Sequence, residues 1–165
     1  MEFTFEEDYP ASVAWVVSTL TDRAFLMEYA AELPAAVDDI AIERTDGTWT
    51  VRTRLTADTR RAPSLVRPLL GPTVPVSDER VWTSDIHGAR GRATVRSSLR
   101  RLTIETHAAM SLEPSGADAC HFRAEGSLTV QAPFGGGRLA PLVRDLALGV
   151  FRDQGVVLRR WSAAR

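Results

Sequence analysis

General acid–base chemistry needs a titratable side chain held near a reacting proton, and His87, His107 and His121 are the first candidates. Their neighbours argue against the role. His87 precedes Gly88 at a turn, and His107 and His121 lie among Glu105, Arg123 and Glu125 on strand faces that read as solvated. Asp38 and Asp39 are adjacent carboxylates, but consecutive strand residues point to opposite faces, which separates them as a catalytic pair. Cys120 is the only cysteine, so neither an intramolecular disulfide nor a multi-cysteine zinc site is available. Gly135-Gly136-Gly137 lacks the lysine and the parallel-sheet context of a phosphate loop and reads as the start of a helix. The residues therefore predict no catalytic group, no metal ligand and no cofactor.

Arg90, Arg92, Arg96, Arg100 and Arg101 could form a basic stripe, with Arg52 and Arg54 beside it. Nucleic-acid binding would want aromatic residues interleaved there, and a formal net charge of -1 supplies no attracting field, so no nucleic-acid partner is expected. All 20 basic residues are arginine, which reads as the codon bias of a GC-rich genome. With 44% hydrophobic and 25% charged residues over 165 positions, the chain is expected to form one domain, 1–165, with a core that needs no covalent staples. Met1 to Asp8 is acidic where a secretory signal needs positive charge, and no run approaches the ~20 apolar residues of a membrane span. A cytoplasmic protein without stable membrane insertion is expected; its oligomeric state stays open.

Phe3 and Phe5 alternate with Glu2, Thr4 and Glu6, the period of a strand with one buried face. Ala11 to Leu20 sets Val13, Val16, Val17 and Leu20 on one helical face, with Pro10 near the first helical position. Thr21 or Asp22 caps a second helix carrying Phe25, Leu26, Tyr29 and Leu33, which Pro34 stops. The period then returns to two. Asp46-Gly47 predicts a hairpin, and on its second strand Trp49, Val51, Leu55 and Ala57 share a dry face opposite Thr50, Arg52, Arg54 and Thr56. Four prolines between Thr59 and Pro75 exclude a central strand there. A second hairpin turns near His87-Gly88, and a third turns at Pro114-Ser115-Gly116. From Gly137 to Trp161 the period becomes 3.6, with Leu139, Leu142, Val143, Leu146, Val150, Val157, Leu158 and Trp161 in one stripe. Gly149 and Gly155 within it are expected to allow close backbone approach or a bend.

The order β-α-α, six further strands and one long terminal helix resembles the helix-grip fold of the START-like superfamily of lipid-binding and polyketide-cyclase-like proteins. Phe3 to Leu20, the Glu79-x-x-Trp82 strand and the Pro133-Phe134-Gly135-Gly136-Gly137 approach to the last helix look like a bacterial branch of unknown function. The resemblance implies an α+β fold, a curved antiparallel sheet around the C-terminal helix, with an apolar cavity between them.

Inward positions carry small residues, Gly91, Ala93, Ala108, Ala124 and Gly126, which leave space for a pocket of ~300–1,000 Å³. The other outcome is that Phe151 and Trp161 of the helix fill it. The expected ligand-binding wall comprises Trp49, Val51, Thr53 and Leu55, then Trp82, Ala93 and Val95, then Thr106, Ala108 and Met110. Phe122, Ala124, Leu142, Leu146 and Val150 complete it. Pro63 to Pro75 is either a lid over the mouth or a connector packed through Leu65, Val66, Leu69 and Leu70. The functional expectation is non-enzymatic binding or transport of a hydrophobic small molecule. A cyclase- or hydratase-like enzyme, which needs an inward titratable residue, and a co-chaperone-like interaction module, which needs an exposed apolar patch, are the alternatives.

Overall fold

In a computed structural model, which describes residues 1–133 and 135–165, the chain opens with β1 (Glu2–Tyr9), α1 (Val13–Leu20) and α2 (Arg23–Glu32). It continues through β2 (Ala35–Thr45), β3 (Thr48–Asp58), a one-turn α3 (Arg67–Leu70), β4 (Thr73–Asp85), β5 (Gly88–Leu99), β6 (Leu102–Gly116) and β7 (Ala119–Gln131). It closes on α4 (Gly136–Ala163). Phe134, in the approach to that helix, lies outside the described residues.

Each early element is set by a local device. The Ser12 hydroxyl accepts the Trp15 N–H at 3.2 Å, so α1 starts at Val13 and not at Ala11 behind Pro10. Asp22, of the two candidate caps, accepts the N–H groups of Ala24 and Phe25 at 2.8 and 3.1 Å and opens α2. Asp46 and Gly47 take φ of 50° and 77°, the pair of positive values that a two-residue hairpin between β2 and β3 requires.

The strands form one antiparallel sheet in the order β1-β7-β6-β5-β4-β3-β2. The N-terminal strand thus pairs with the last, Phe5 opposite Ala124, and β2 ends the other edge. The curved sheet grips α4, and the fold is the helix-grip α+β architecture that the resemblance implies.

Two prolines fall inside strands, against expectation. Pro75 belongs to β4 and pairs with Thr56, and Pro114 belongs to β6, opposite Cys120, which moves the third turn to Ala117–Asp118. Both sit where pairing with β5 has ended, at Ser77 and Leu112 respectively, so a missing N–H costs no ladder bond on that side. A bulge between Val37 and Asp39 also overturns the opposed Asp38–Asp39 geometry. Both carboxylates reach the outer face, Asp38 accepting from Thr56 at 2.8 Å and Asp39 pairing with Arg54 at 3.5 Å.

Along α4 the buried residues are Leu139, Val143, Phe151, Gln154, Gly155, Val157 and Leu158. Leu142, Leu146, Val150 and Trp161 of the expected stripe are half-buried on its flank. Gly155 lets the Glu7 carboxylate lie against the helix backbone where a Cβ would stand; nothing approaches Gly149, so close contact explains only the first. The Pro63–Pro75 segment divides. Val66 and Leu70 are buried in a cluster with Val74, Leu102 and Leu139, while Leu65 and Leu69 face solvent.

Candidate ligand cavity

Strand parity places five rungs of paired side chains on the inner face where β3 meets β4: Trp49–Trp82, Val51–Arg80, Thr53–Asp78, Leu55–Val76 and Ala57–Val74. A cavity of about 170 Å³ lies over the middle of this ladder. Leu26, Tyr29 and Ala30 of α2, with Leu33 just past its end, roof it, Val150 of α4 and Val95 of β5 close its flanks, and Ala35 lies near Ala57 at one end. The alanines on α2, β2 and β3 are too short to fill the gap between these elements and α4.

The lining is apolar except at Thr53, Asp78, Arg80 and Tyr29. Arg80 is buried, and its Nε and Nη2 reach Asp78 Oδ2 at 3.0 and 2.9 Å. Its Nη1 donates to Oε1 of the fully buried Gln154 on α4. The guanidinium also lies 5.8 Å from the centre of the Tyr29 ring, and the Tyr29 hydroxyl donates to the Val150 carbonyl at 3.0 Å. Burial disfavours the Arg80 charge, but Asp78 and Tyr29 together outweigh it and hold the guanidinium pKa above its ordinary value. Burial pushes the Tyr29 hydroxyl up to about 12; Arg80 opposes and Asp78 reinforces this rise. The polar cluster is thus a compensated ion pair with hydrogen-bonding capacity to spare, set inside an apolar sleeve.

Of the expected ligand-binding residues, Val51, Thr53, Leu55, Val95 and Val150 line the cavity. Trp82 is buried one rung below it, with its ring 2.7 Å from the position a Gly91 Cβ would take. The small residue there makes room for an indole, not for a guest. Gly126 likewise receives Phe3, whose Cζ lies 2.8 Å from its absent Cβ. Ala93, Ala108, Met110, Phe122 and Ala124 belong to the packed core, where Phe122 meets Tyr9 and Phe151 at ring separations of 5.7 and 5.8 Å. That side of the expected pocket is filled, because aromatic rings of β1, β7 and α4 interlock over the small positions. Thr106 is buried on the inner face away from the cavity, Leu142 and Leu146 pack on the Val66–Leu139 cluster, and Trp49 packs half-buried against the main core under Arg44.

Asp78, Arg80, Gln154 and Glu7 were not anticipated as inward residues. Counting back by twos from Trp82 places Arg80 and Asp78 on its face, so parity could have found them. The histidines stand outside the site. His107 bonds Glu105 at 3.0 Å and His121 bonds Asp8 at 2.7 Å, both on exposed faces, and His87 is exposed at its turn. The basic stripe is largely neutralised by cross-strand acids, Arg52 by Glu79, Arg90 by Glu113 and Arg96 by Glu105.

A family model described as a protein of unknown function, DUF2505, matches residues 4–161. The chain belongs to that family. No curated protein matches it significantly in sequence. Among solved structures, TTHA0849 from Thermus thermophilus superposes with a TM-score of 0.64 at 20% identity, covering 100% of both chains. The Zhui aromatase/cyclase from Streptomyces sp. R1128 gives 0.57 at 14% identity, covering 99% of this chain and 97% of its own. Norcoclaurine synthase from Thalictrum flavum, in complex with dopamine and hydroxybenzaldehyde, gives 0.56 at 11% identity over 100% of this chain and 87% of its own. The likeness is one of fold. Among the described residues, no helix is long and apolar enough to cross a membrane.

Proposed function

We propose that the protein binds a hydrophobic small molecule in the cavity between α2, the β3–β4 ladder and α4, as a carrier or sensor and not as a catalyst. The observation that carries this reading is the 170 Å³ apolar cleft, partly open to solvent, in a molecule whose inner face is otherwise packed on the β1–β7 side. A concave, mostly apolar surface with a few polar groups is the usual form of a small-molecule site, and an apolar space of this order accepts a small guest. The lone buried thiol, raised to about 11 chiefly by burial, is inert and suits a reducing, cytoplasmic setting.

Native mass spectrometry of the purified protein, together with thermal shifts against a panel of apolar small molecules, tests the reading. A co-purifying mass or a saturable rise in Tm is expected. A flat panel and a bare apo mass would overturn it.

One observation favours the enzymatic alternative: Asp78, Arg80 and Tyr29 are titratable and face the cavity. On that reading Tyr29, neutral up to about pH 12, would turn its O–H from the Val150 carbonyl to a bound carbonyl and donate its proton there, with Arg80 stabilising the charge that develops on the oxygen. Turnover of a bound carbonyl compound that vanishes in Tyr29→Phe, with binding retained, would establish it.

A further inference from the structure

We infer that the guest is a neutral single-ring compound bearing one hydroxyl, its ring in the apolar sleeve and its hydroxyl donating to Asp78. The inference rests on the binding reading above and names the class of molecule that the same cavity would take.

Size comes first. A cavity near 150 Å³ holds benzene, so about 170 Å³ seats one ring with a short substituent and leaves most of an extended acyl chain in water.

Polarity sets the orientation. Leu33, Leu55 and Val76 make the sleeve at one end, while Thr53 and Asp78 stand opposite each other in register and Arg80 lies one rung further in. A guest with a polar tip therefore lies with its tip toward the Thr53–Asp78 rung.

Charge decides between tips. Arg80 is already neutralised by Asp78, so a carboxylate guest would meet Asp78 without a free cation to offset it, and an ammonium guest would meet Arg80. A neutral hydroxyl meets neither penalty. Asp78 Oδ1 takes a single bond, from Arg80 Nε at 3.2 Å, and retains acceptor capacity. Of the five guanidinium N–H groups, three go to Asp78 and Gln154 and a fourth to Tyr29, which leaves one to donate back to the hydroxyl oxygen, with the Thr53 hydroxyl beside it. Such a group would be satisfied both as donor and as acceptor.

Calorimetric titration of the intact protein with benzyl alcohol, toluene, benzoate and 1-decanol tests this. Benzyl alcohol is expected to bind roughly tenfold tighter than toluene, about the worth of one net hydrogen bond, while benzoate and 1-decanol do not bind. Thr53→Val, nearly isosteric, is expected to weaken benzyl alcohol about fivefold and leave toluene unchanged. Asp78→Asn, checked for native circular dichroism, should weaken it further. Equal affinity for benzyl alcohol and toluene in the wild type, or equal loss of both in Thr53→Val, overturns the hydroxyl assignment while the cavity reading stands. Binding of 1-decanol overturns the size limit, and tighter binding of benzoate overturns the neutral tip. Failure of all four ligands while other apolar molecules raise Tm overturns this inference alone; failure of all four with a flat panel and a bare apo mass removes the cavity reading as well.

Discussion

On the β1–β7 side of the inner face, Phe3, Phe5, Tyr9, Phe122 and Phe151 meet at ring separations of 5.5 to 6.3 Å. On the β3–β4 side, aliphatic chains of middle size and one compensated ion pair surround an open volume. The two regions share a sheet, a helix and a burial environment. They differ in what projects from the neighbouring elements. Over Gly91 and Gly126 a neighbour supplies Trp82 or Phe3; over Thr53 and Leu55 the side chains of Leu26, Tyr29, Ala30 and Val150 border a gap without closing it. A small residue on a sheet is therefore no sign of space by itself. Space requires that the side chains facing it stop short, as those around Ala30 do.

The contrast can be broken by experiment, beginning with the filled side. Phe151→Ala removes the ring that contacts Phe3, Phe5 and Phe122 and is expected to cost about 3–5 kcal/mol in urea unfolding. A loss below about 1 kcal/mol would show that this side is as loosely occupied as the other.

Arg80→Ala strands Asp78 inside the sleeve and is expected to cost a comparable 3–5 kcal/mol, with most of it recovered in Arg80→Met combined with Asp78→Leu. A double variant no more stable than the single one would remove the ion pair from the account.

Gly126→Ala presses a methyl against Phe3 and the His107–Ala108 backbone, for a cost of about 1–3 kcal/mol. Ala30→Leu, by contrast, adds side-chain volume to the open side. It is expected to shift stability by less than about 1.5 kcal/mol while abolishing toluene binding in calorimetry. If it destabilised as Gly126→Ala does, the two sides would be alike.

The smallest effect sharpens the boundary where α2 meets α4. The Trp161 indole N–H and Arg160 hold the Glu28 carboxyl below its usual value near 4.5. Its ionised form adds stability above that value, and the contribution is lost as pH falls through the lower folded pKa. Glu28→Gln should flatten the decline of the urea midpoint below about pH 4.5 and leave the profile from pH 5 to 7 unchanged.

Strand parity made the β3 wall legible: Val51, Thr53 and Leu55 follow from Trp49 by alternation, and they line the cavity. The same alternation on β4 runs through Arg80 and Asp78, where charge suggests solvent. A residue's own polarity misleads when its partner sits two positions away on the same face. The filled side was illegible for another reason. Phe3 over Gly126 and Trp82 over Gly91 are contacts between strands, and residue spacing along one strand does not say which ring leans onto which neighbour. Pro75 and Pro114 hid strand ends because the overhangs beyond β5 depend on register, not on composition.

The bond from the Tyr29 hydroxyl to the Val150 carbonyl, with Arg160 and Trp161 on Glu28, ties the roof of the cavity to the final helix at both its middle and its end. A guest would not be released by parting α2 from α4. Its exchange rate would be set at the other end of the ladder, by fluctuations of Leu33, Ala35 and Ala57, so substitutions there should alter residence time before they alter affinity.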